Sequence, residues 1–388
     1  VAEETLDPAV DTWVNDHCPT WTLPALPMMS VVDRLAQAAA EHTGQSVLAV
    51  HDVRLRRWIP LTQAVGLRTE VAPARDGLEV KLLMWREAAT SALSRFEEVA
   101  RGTVLVGAWP ENRPERFAPL PDAVAQPDPY VAAELFHGPA FQYLTSLAVG
   151  ATGSSGVLDT ARGTVPKGCL NQGVLDALVQ VIPHASLWRW VPEVGDGKVS
   201  YPLRVASLEL FEALPETGEV EVEARFAGLD SADATLGPTS AIDLQLCVDG
   251  RVAVALRLII VLLPVGPLSR ASLVERRDFL ARRRPVEGVG LSRTADGATE
   301  ILADEVDAMD WLRGSVAHAW GLKPGSRGRD QLAVIAVKDH VGRLAGVHPS
   351  TVEVSEDLGS ARTASGERHL VKVVQTEDKV TVRSGGER

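Results

Sequence analysis

One short helical pattern occurs twice in this chain, and the repeat restricts the fold more than any other feature. Val31-Val32-Asp33-Arg34-Leu35-Ala36-Gln37 sets against Val174-Leu175-Asp176-Ala177-Leu178-Val179-Gln180, with Asp, Leu and Gln in register. After Pro27, the residues Met28, Val31, Val32, Leu35, Ala38 and Ala39 share one stripe at helical periodicity. After Gly173, the residues Val174, Leu175, Leu178, Val181 and Ile182 do the same until Pro183 stops the helix. Each helix is followed by segments alternating at period two, the mark of half-buried antiparallel strands. They run over Ser46–Leu61, Leu67–Ala72, Leu78–Trp85 and Phe96–Val106, then over Leu203–Ala213, Val220–Phe226, Ala241–Val248 and Val252–Leu263. This is an internal duplication of a sheet wrapped around a helix. Two such units side by side can share one continuous sheet and leave a cleft between their helices.

Two local signals sharpen the picture. Asp249-Gly250, between the last two strands, is a hairpin turn, because its tight connection needs positive φ. The apolar run from Leu256 to Leu268 carries Arg257 early and two prolines late, too short for a bilayer span and suited to a buried strand. A length of 388 residues at roughly 150 per domain leaves room beyond the duplicated part. An Arg-rich linker precedes a small α+β domain in which Met309–Trp320 and Gln331–Leu344 read as helices. Leu370–Gln375 and Lys379–Val382 read as a closing hairpin, and Ser384–Arg388 as a frayed tail.

The charge balance, 39 basic against 51 acidic residues, gives −12, which repels phosphate backbones and anionic lipid. Neither a nucleic acid nor a membrane is therefore an expected partner. The three cysteines, Cys18, Cys169 and Cys247, lie far apart with no metal-ligand or redox spacing. No metal site is expected from them, and a reducing compartment, the cytoplasm, is the simple reading. The first residues hold four acids and no basic segment ahead of an apolar stretch, so no secretory signal is expected, and the initial Val suggests an excised piece of something longer.

Two side chains stand out as an acid and base pair. His17 sits in a polar segment leading into the first helix, where a loop can present it. Asp176 lies on an otherwise apolar helix, where burial is expected to raise its pKa into the range useful for proton donation. Gln180, one turn on at i+4, is placed to orient it. Asp33 is the competing carboxyl by internal symmetry. Cys18 beside His17 is the competing nucleophile, although adjacent residues rarely reach hydrogen-bond geometry.

Three segments in this order resemble polyketide synthase dehydratase domains, over about residues 1–268. The first is Asp16-His17-Cys18-Pro19-Thr20-Trp21-Thr22-Leu23-Pro24-Ala25-Leu26-Pro27. The second is His137-Gly138-Pro139-Ala140-Phe141-Gln142, similar to that family's Tyr-Gly-Pro-X-Phe stretch, and the third is Leu175-Asp176-Ala177-Leu178-Val179-Gln180. The departures are Trp21 where the family has Gly, Pro27 one position late, and His137 in place of Tyr. The chain is also similar to iterative, polyunsaturated-fatty-acid-synthase-like dehydratases. The resemblance implies a double hotdog of class α+β, with hotdogs over residues 1–120 and 121–268, and the chain's own pattern adds a linker over 269–294 and the small domain over 295–388.

It further implies a hydro-lyase that removes water by syn elimination from a 3-hydroxyacyl group, giving a 2-enoyl thioester. The substrate is carried on the phosphopantetheine of an acyl carrier protein, and no other cofactor is implied. His17 is then the base at C2, and Asp176 protonates the departing hydroxyl. Gln180, Gly138, Pro139, Pro27 and Trp21 support them, and backbone N–H groups after Pro27 stabilise the enolate oxygen. Leu23, Leu26, Met28 and Phe141 are the expected apolar lining. Implied partners are the carrier protein, neighbouring synthase domains and a second copy in a homodimer. Two alternatives stay open: a catalytically silent scaffold that binds carrier protein, and an isomerase moving the double bond with His17 alone. In the last domain, Ala336-Val337-Lys338-Asp339-His340-Val341 is faintly similar to the Lys-Glu-Ala stretch of phosphopantetheinyl transferases.

Overall fold

The computed structural model describes residues 1–19, 24–56, 59–61, 64–86, 91–192, 198–230, 239–264, 292–302, 329–347, 351–376 and 379–385. The chain divides into two compact units, Val1–His17 with Pro24–Pro264, and Cys18–Leu23 with Val265–Arg388.

In the larger unit the first half contains β1 (Ala2–Leu6), α1 (Met28–Thr43), β2 (Ser46–Leu55), β3 (Val65–Ala74), β4 (Gly77–Arg86) and β5 (Arg95–Gly107). The second contains β6 (Val124–Ala125), β7 (Leu144–Val149), β8 (Gly153–Asp159) and α2 (Gln172–Val179), followed by β9 (Lys198–Leu210), β10 (Glu219–Asp230), β11 (Thr239–Val248) and β12 (Arg251–Pro264). All twelve strands form one sheet in the order β1-β3-β4-β5-β2-β9-β12-β11-β10-β8-β7-β6. The halves meet where β2 pairs antiparallel with β9, from Ala49 opposite Glu209 to Arg54 opposite Arg204. This is the double hotdog, α+β, with one continuous sheet.

The helices sit where their apolar stripes demand. Val31, Val32 and Leu35 of α1 and Val174, Leu175 and Leu178 of α2 are fully buried in a single core spanning both halves. Gly44 ends α1 in the left-handed region, φ 69°, its N–H bonding the Ala40 carbonyl at 2.7 Å. Asn171 starts α2 by accepting from the Val174 N–H at 3.3 Å. The two helices pack against each other as well as the sheet, so they do not stand apart across the expected cleft.

Other differences are local. The strand expected over Ser46–Leu61 ends at Leu55, and Ile59 and Leu61 instead bond the segment before α1. The chain turns at Asp249-Gly250 with φ of 49° and 76°, the positive values the dipeptide predicts. In β12 every residue from Leu258 to Leu262 is buried, as its unbroken apolar run requires. Among the described residues no helix is long and apolar enough to cross a membrane.

The smaller unit has a sheet ordered β13 (Ser292–Arg293), β14 (Thr299–Leu302), β18 (Lys379–Ser384), β17 (Arg368–Gln375), β16 (Ser360–Arg362) and β15 (Glu353–Val354), with α3 (Arg329–Ala345) packed on it. The hairpin of β17 and β18 and the helix over 331–344 lie where their patterns place them. Ser292 and Arg293, expected in the linker, pair with β14. Residues 269–291 of that linker and the helix expected at Met309–Trp320 lie outside the described residues. Lys338 of the transferase-like stretch is buried, and its ammonium donates to the Val352 carbonyl at 2.7 Å.

Candidate active site

His17 closes a single 3-10 turn, Thr12–Asp16, and the chain then doubles back toward α1. Two bonds join the ends of this excursion: the Ala25 N–H donates to the His17 carbonyl at 3.0 Å, and His17 Nδ1 meets the Ala25 carbonyl at 2.8 Å. A carbonyl only accepts, so Nδ1 carries the hydrogen and Nε2 keeps the lone pair. The loop is anchored in turn, because the Leu26 N–H donates to the Ile59 carbonyl at 2.9 Å and the Leu61 N–H to the Pro24 carbonyl at 2.8 Å. Pro27 caps α1 directly after it.

Asp16 fastens this segment to the second half. Its carbonyl accepts from the Gly138 N–H at 2.8 Å, and its carboxylate accepts from the Ala140 N–H at 2.7 Å. Pro139 opens the short turn Pro139–Phe141, where its fixed φ fits and its missing N–H costs nothing. The turn brings aromatic rings around the imidazole: centroids of Phe136, His137 and Phe141 lie 5.1, 5.4 and 5.5 Å from that of His17. Sequence reasoning passed over Asp16, whose one signal was its place beside His17.

Asp176 faces the same point from α2. Its Oδ2 accepts from Gln180 Nε2 at 3.1 Å and stands 3.4 Å from His137 Nε2. Gln180 is held by two further bonds: Nε2 also donates to the Phe141 carbonyl at 3.2 Å, and Oε1 accepts from the Tyr130 hydroxyl at 2.6 Å. That hydroxyl accepts from the Leu144 N–H at 3.2 Å, so the amide of Gln180 has one orientation. Tyr130 was invisible at the level of sequence because it lies 50 residues from Gln180 in a segment without regular pattern.

One donor atom each from His17, His137 and Asp176 lies within 4.8 Å of the others, and the three residues are only 9%, 6% and 8% exposed. Burial, foremost, pushes the His17 imidazole down to about 4, so at physiological pH it is neutral and keeps a lone pair for a proton. The expectation of a raised pKa for Asp176 is corrected. Burial does push its carboxyl upward, but hydrogen bonding and charge from its neighbours, His137 foremost, outweigh it and hold it below the usual value.

The remaining expected residues divide. Phe141 lies beside this cluster and Gly138 bonds Asp16, Pro139 opens the turn between them, Pro27 stands at the start of α1, and Leu26 and Met28 are buried in the core. Trp21 and Leu23 lie outside the described residues. Asp33 has a different role: its carboxylate accepts from the Leu170 N–H at 2.5 Å, tying α1 to the loop before α2. Burial pushes that carboxyl up to about 6.

No protein-family model matches this sequence, and no curated protein matches it. Solved structures do. A dehydratase domain from the CurF module of curacin polyketide synthase aligns with a TM-score of 0.51 at 16% identity, covering 67% of this chain and 91% of that one. The dehydratase domain of PpsC from Mycobacterium tuberculosis aligns at 0.52 and 18%, covering 68% and 92%. The same PpsC domain in complex with C12:1-CoA aligns at 0.51 and 18%, covering 67% and 92%. At these identities the likeness establishes the double hotdog fold.

Proposed function

We propose that the larger unit is a dehydratase of polyketide-synthase type, a hydro-lyase acting on a 3-hydroxyacyl thioester carried by an acyl carrier protein. The observation behind this reading is the meeting of His17, from the first half, with Asp176, from the second, on a fold shared with dehydratase domains. Neither half supplies both groups. The thioester acidifies the C2 hydrogen, and neutral His17 Nε2 takes it as a proton. The electron pair of the broken C2–H bond forms the C2–C3 double bond, the C3–O bond breaks, and the hydroxyl leaves as water with a proton from Asp176. Gln180 keeps the carboxyl aimed. Asp176 alone tends to be ionised, but with His137 3.4 Å away the two can share the proton that the carboxyl delivers. The chemistry uses these side chains and the thioester itself. Neighbouring synthase domains and a second copy of the chain complete the proposed setting, which is the cytoplasm.

The test is incubation with 3-hydroxyacyl thioesters of several lengths and both C3 configurations, followed by mass spectrometry. Loss of one water by the native protein, abolished in His17→Ala and in Asp176→Asn, is the expected result. No water loss from any substrate overturns the reading. The lowered pKa of Asp176 also favours a second one, in which His17 alone moves the double bond between α,β and β,γ positions. Solvent deuterium entering C2 or C4 of an enoyl thioester without dehydration selects it.

A further inference from the structure

The presence of a second imidazole, His137, beside His17 and Asp176 gives this cluster a capacity that a base and an acid alone do not have. Two histidines and one carboxylate are a donor set suited to divalent transition metals, zinc above all. We propose that His17, His137 and Asp176 together bind one zinc-class dication and that the bound ion switches off the chemistry of the site. The binding stands on the geometry alone, while the inhibition rests on the dehydratase reading.

Four observations carry it. First, donors bound to a tetrahedral ion at about 2.0–2.1 Å are roughly 3.4 Å apart, and His137 Nε2 stands 3.4 Å from Asp176 Oδ2. A donor of His17 lies within 4.8 Å of both, close enough for small side-chain rotations to complete three ligands. Second, the outer contacts that aim metal ligands are already in place. His17 commits Nδ1 to the Ala25 carbonyl, which leaves Nε2 as the ligand nitrogen, and Gln180 steers the carboxylate. Third, His137 is a buried ring short of partners. Its Nδ1 has no hydrogen-bond partner among the described residues, and its Nε2 has only the long contact to Asp176. Coordination at Nε2 would exchange that long contact for a metal–nitrogen bond. Fourth, the ligands come from three separate segments, the first two joined by the Asp16 bonds to Gly138 and Ala140 and the third tied to them by Gln180 donating to the Phe141 carbonyl, so the site is built before any ion arrives.

The consequence for the reaction follows from the lone pairs. An ion held by His17 Nε2 occupies the electron pair that removes the C2 proton, and the same ion holds the Asp176 oxygen that would protonate the hydroxyl. Metal binding and proton transfer by these side chains are therefore mutually exclusive.

The experiment titrates the whole chain with Co2+, reading the visible absorption of low-coordinate cobalt, and with Zn2+ by calorimetry. Parallel titrations use His137→Phe, His17→Ala and Asp176→Asn, each checked by circular dichroism for an unchanged fold. One equivalent bound by the native protein, with at least about a tenfold loss of affinity in each folded variant, about 1.4 kcal/mol, is the expected result. Asp33→Asn, which alters a carboxylate bonded to the Leu170 N–H and to none of the three ligands, should keep native affinity. Absence of binding with metal in excess, or binding that survives in folded His137→Phe, overturns the proposal. Turnover is read separately with and without chelator. A protein that binds the ion but never dehydrates any substrate keeps the metal site and removes the dehydratase reading, whereas dehydration that persists with the site saturated removes the inhibition.

Discussion

Replacing Asp33 by Asn separates the two carboxyls that the duplication sets in register. Burial raises the Asp33 carboxyl from 3.8 to about 6. Between those values the folded protein holds a proton that the unfolded chain has lost, so stability falls as pH rises through that window. Well above pH 6 the whole difference is felt, about 3 kcal/mol at 1.36 kcal/mol per tenfold step. At about pH 4.5 only about 1 kcal/mol of it is present. Asn carries no charge to bury, but its amide cannot accept at both oxygen positions, and Asp33 accepts from backbone N–H groups of Leu170 and Cys169. Losing one such bond costs about 1–3 kcal/mol at every pH. The variant should thus be the less stable protein in acid and gain on the native one by about 2 kcal/mol between about pH 4.5 and 7.5. Urea unfolding of both proteins at the two pH values measures it, and turnover at neutral pH should be unaffected. Unfolding free energies that run parallel with pH would show that Asp33 is not the strained carboxyl described here, and loss of turnover would give it a role in the chemistry.

The other predictions concern the site and its supports. Because the base must be neutral and burial sets His17 at about 4, the rising limb of kcat/KM against pH should lie at about 4; a rising limb centred near 6.5 would contradict it. Gln180→Leu removes the partner of the Tyr130 hydroxyl, the Phe141 carbonyl and the Asp176 carboxylate at once. At about 1–3 kcal/mol for each buried group left unsatisfied, it should lower stability by about 3 kcal/mol or more in urea unfolding. Gly173→Ala places a methyl group 2.3 Å from the Tyr143 hydroxyl and 2.9 Å from Val165 Cβ, and should cost about 1–3 kcal/mol, read as a lower Tm.

What could be read in the letters was whatever repeats or alternates. The stripes of Val31, Val32 and Leu35 and of Val174, Leu175 and Leu178 mark the buried faces of both helices, and the alternation of Val80, Leu82 and Met84 marks the core face of β4. Elements set by tertiary context were not legible. β8 is Gly153-Ser154-Ser155-Gly156-Val157-Leu158-Asp159, poor in strand formers, and it is held by pairing with β10 and by Ser154 donating to the Val181 carbonyl at 2.7 Å. β1 carries exposed Glu3 and Glu4 and β6 has two residues, so neither shows a buried face to find. In the site, His17, Asp176 and Gln180 were legible through their motifs, whereas the fastening by Asp16 and the support from Tyr130 depend on segments far apart in the chain. The sign of the Asp176 shift was misread for a related reason: burial acts on any residue of an apolar helix, but the groups that overcome it come from other segments.

The two register-matched carboxyls show how a duplicated fold acquires one site instead of two. Asp33 is satisfied by backbone N–H groups, which neither titrate nor turn away, so its proton has no route to a substrate. Among the described residues Asp176 is met by side chains, an imidazole that can exchange a proton and an amide held by Tyr130 and Phe141. The difference originates in the loops, not in the helices. The segment before α2 folds its amides over Asp33, while the segment before α1 carries His17 toward Asp176 and leaves that carboxyl to side-chain partners. Symmetry in the helices therefore supplies two equivalent positions for a carboxyl, and asymmetry in the connections decides that one of them braces the helix pair while the other faces two imidazoles.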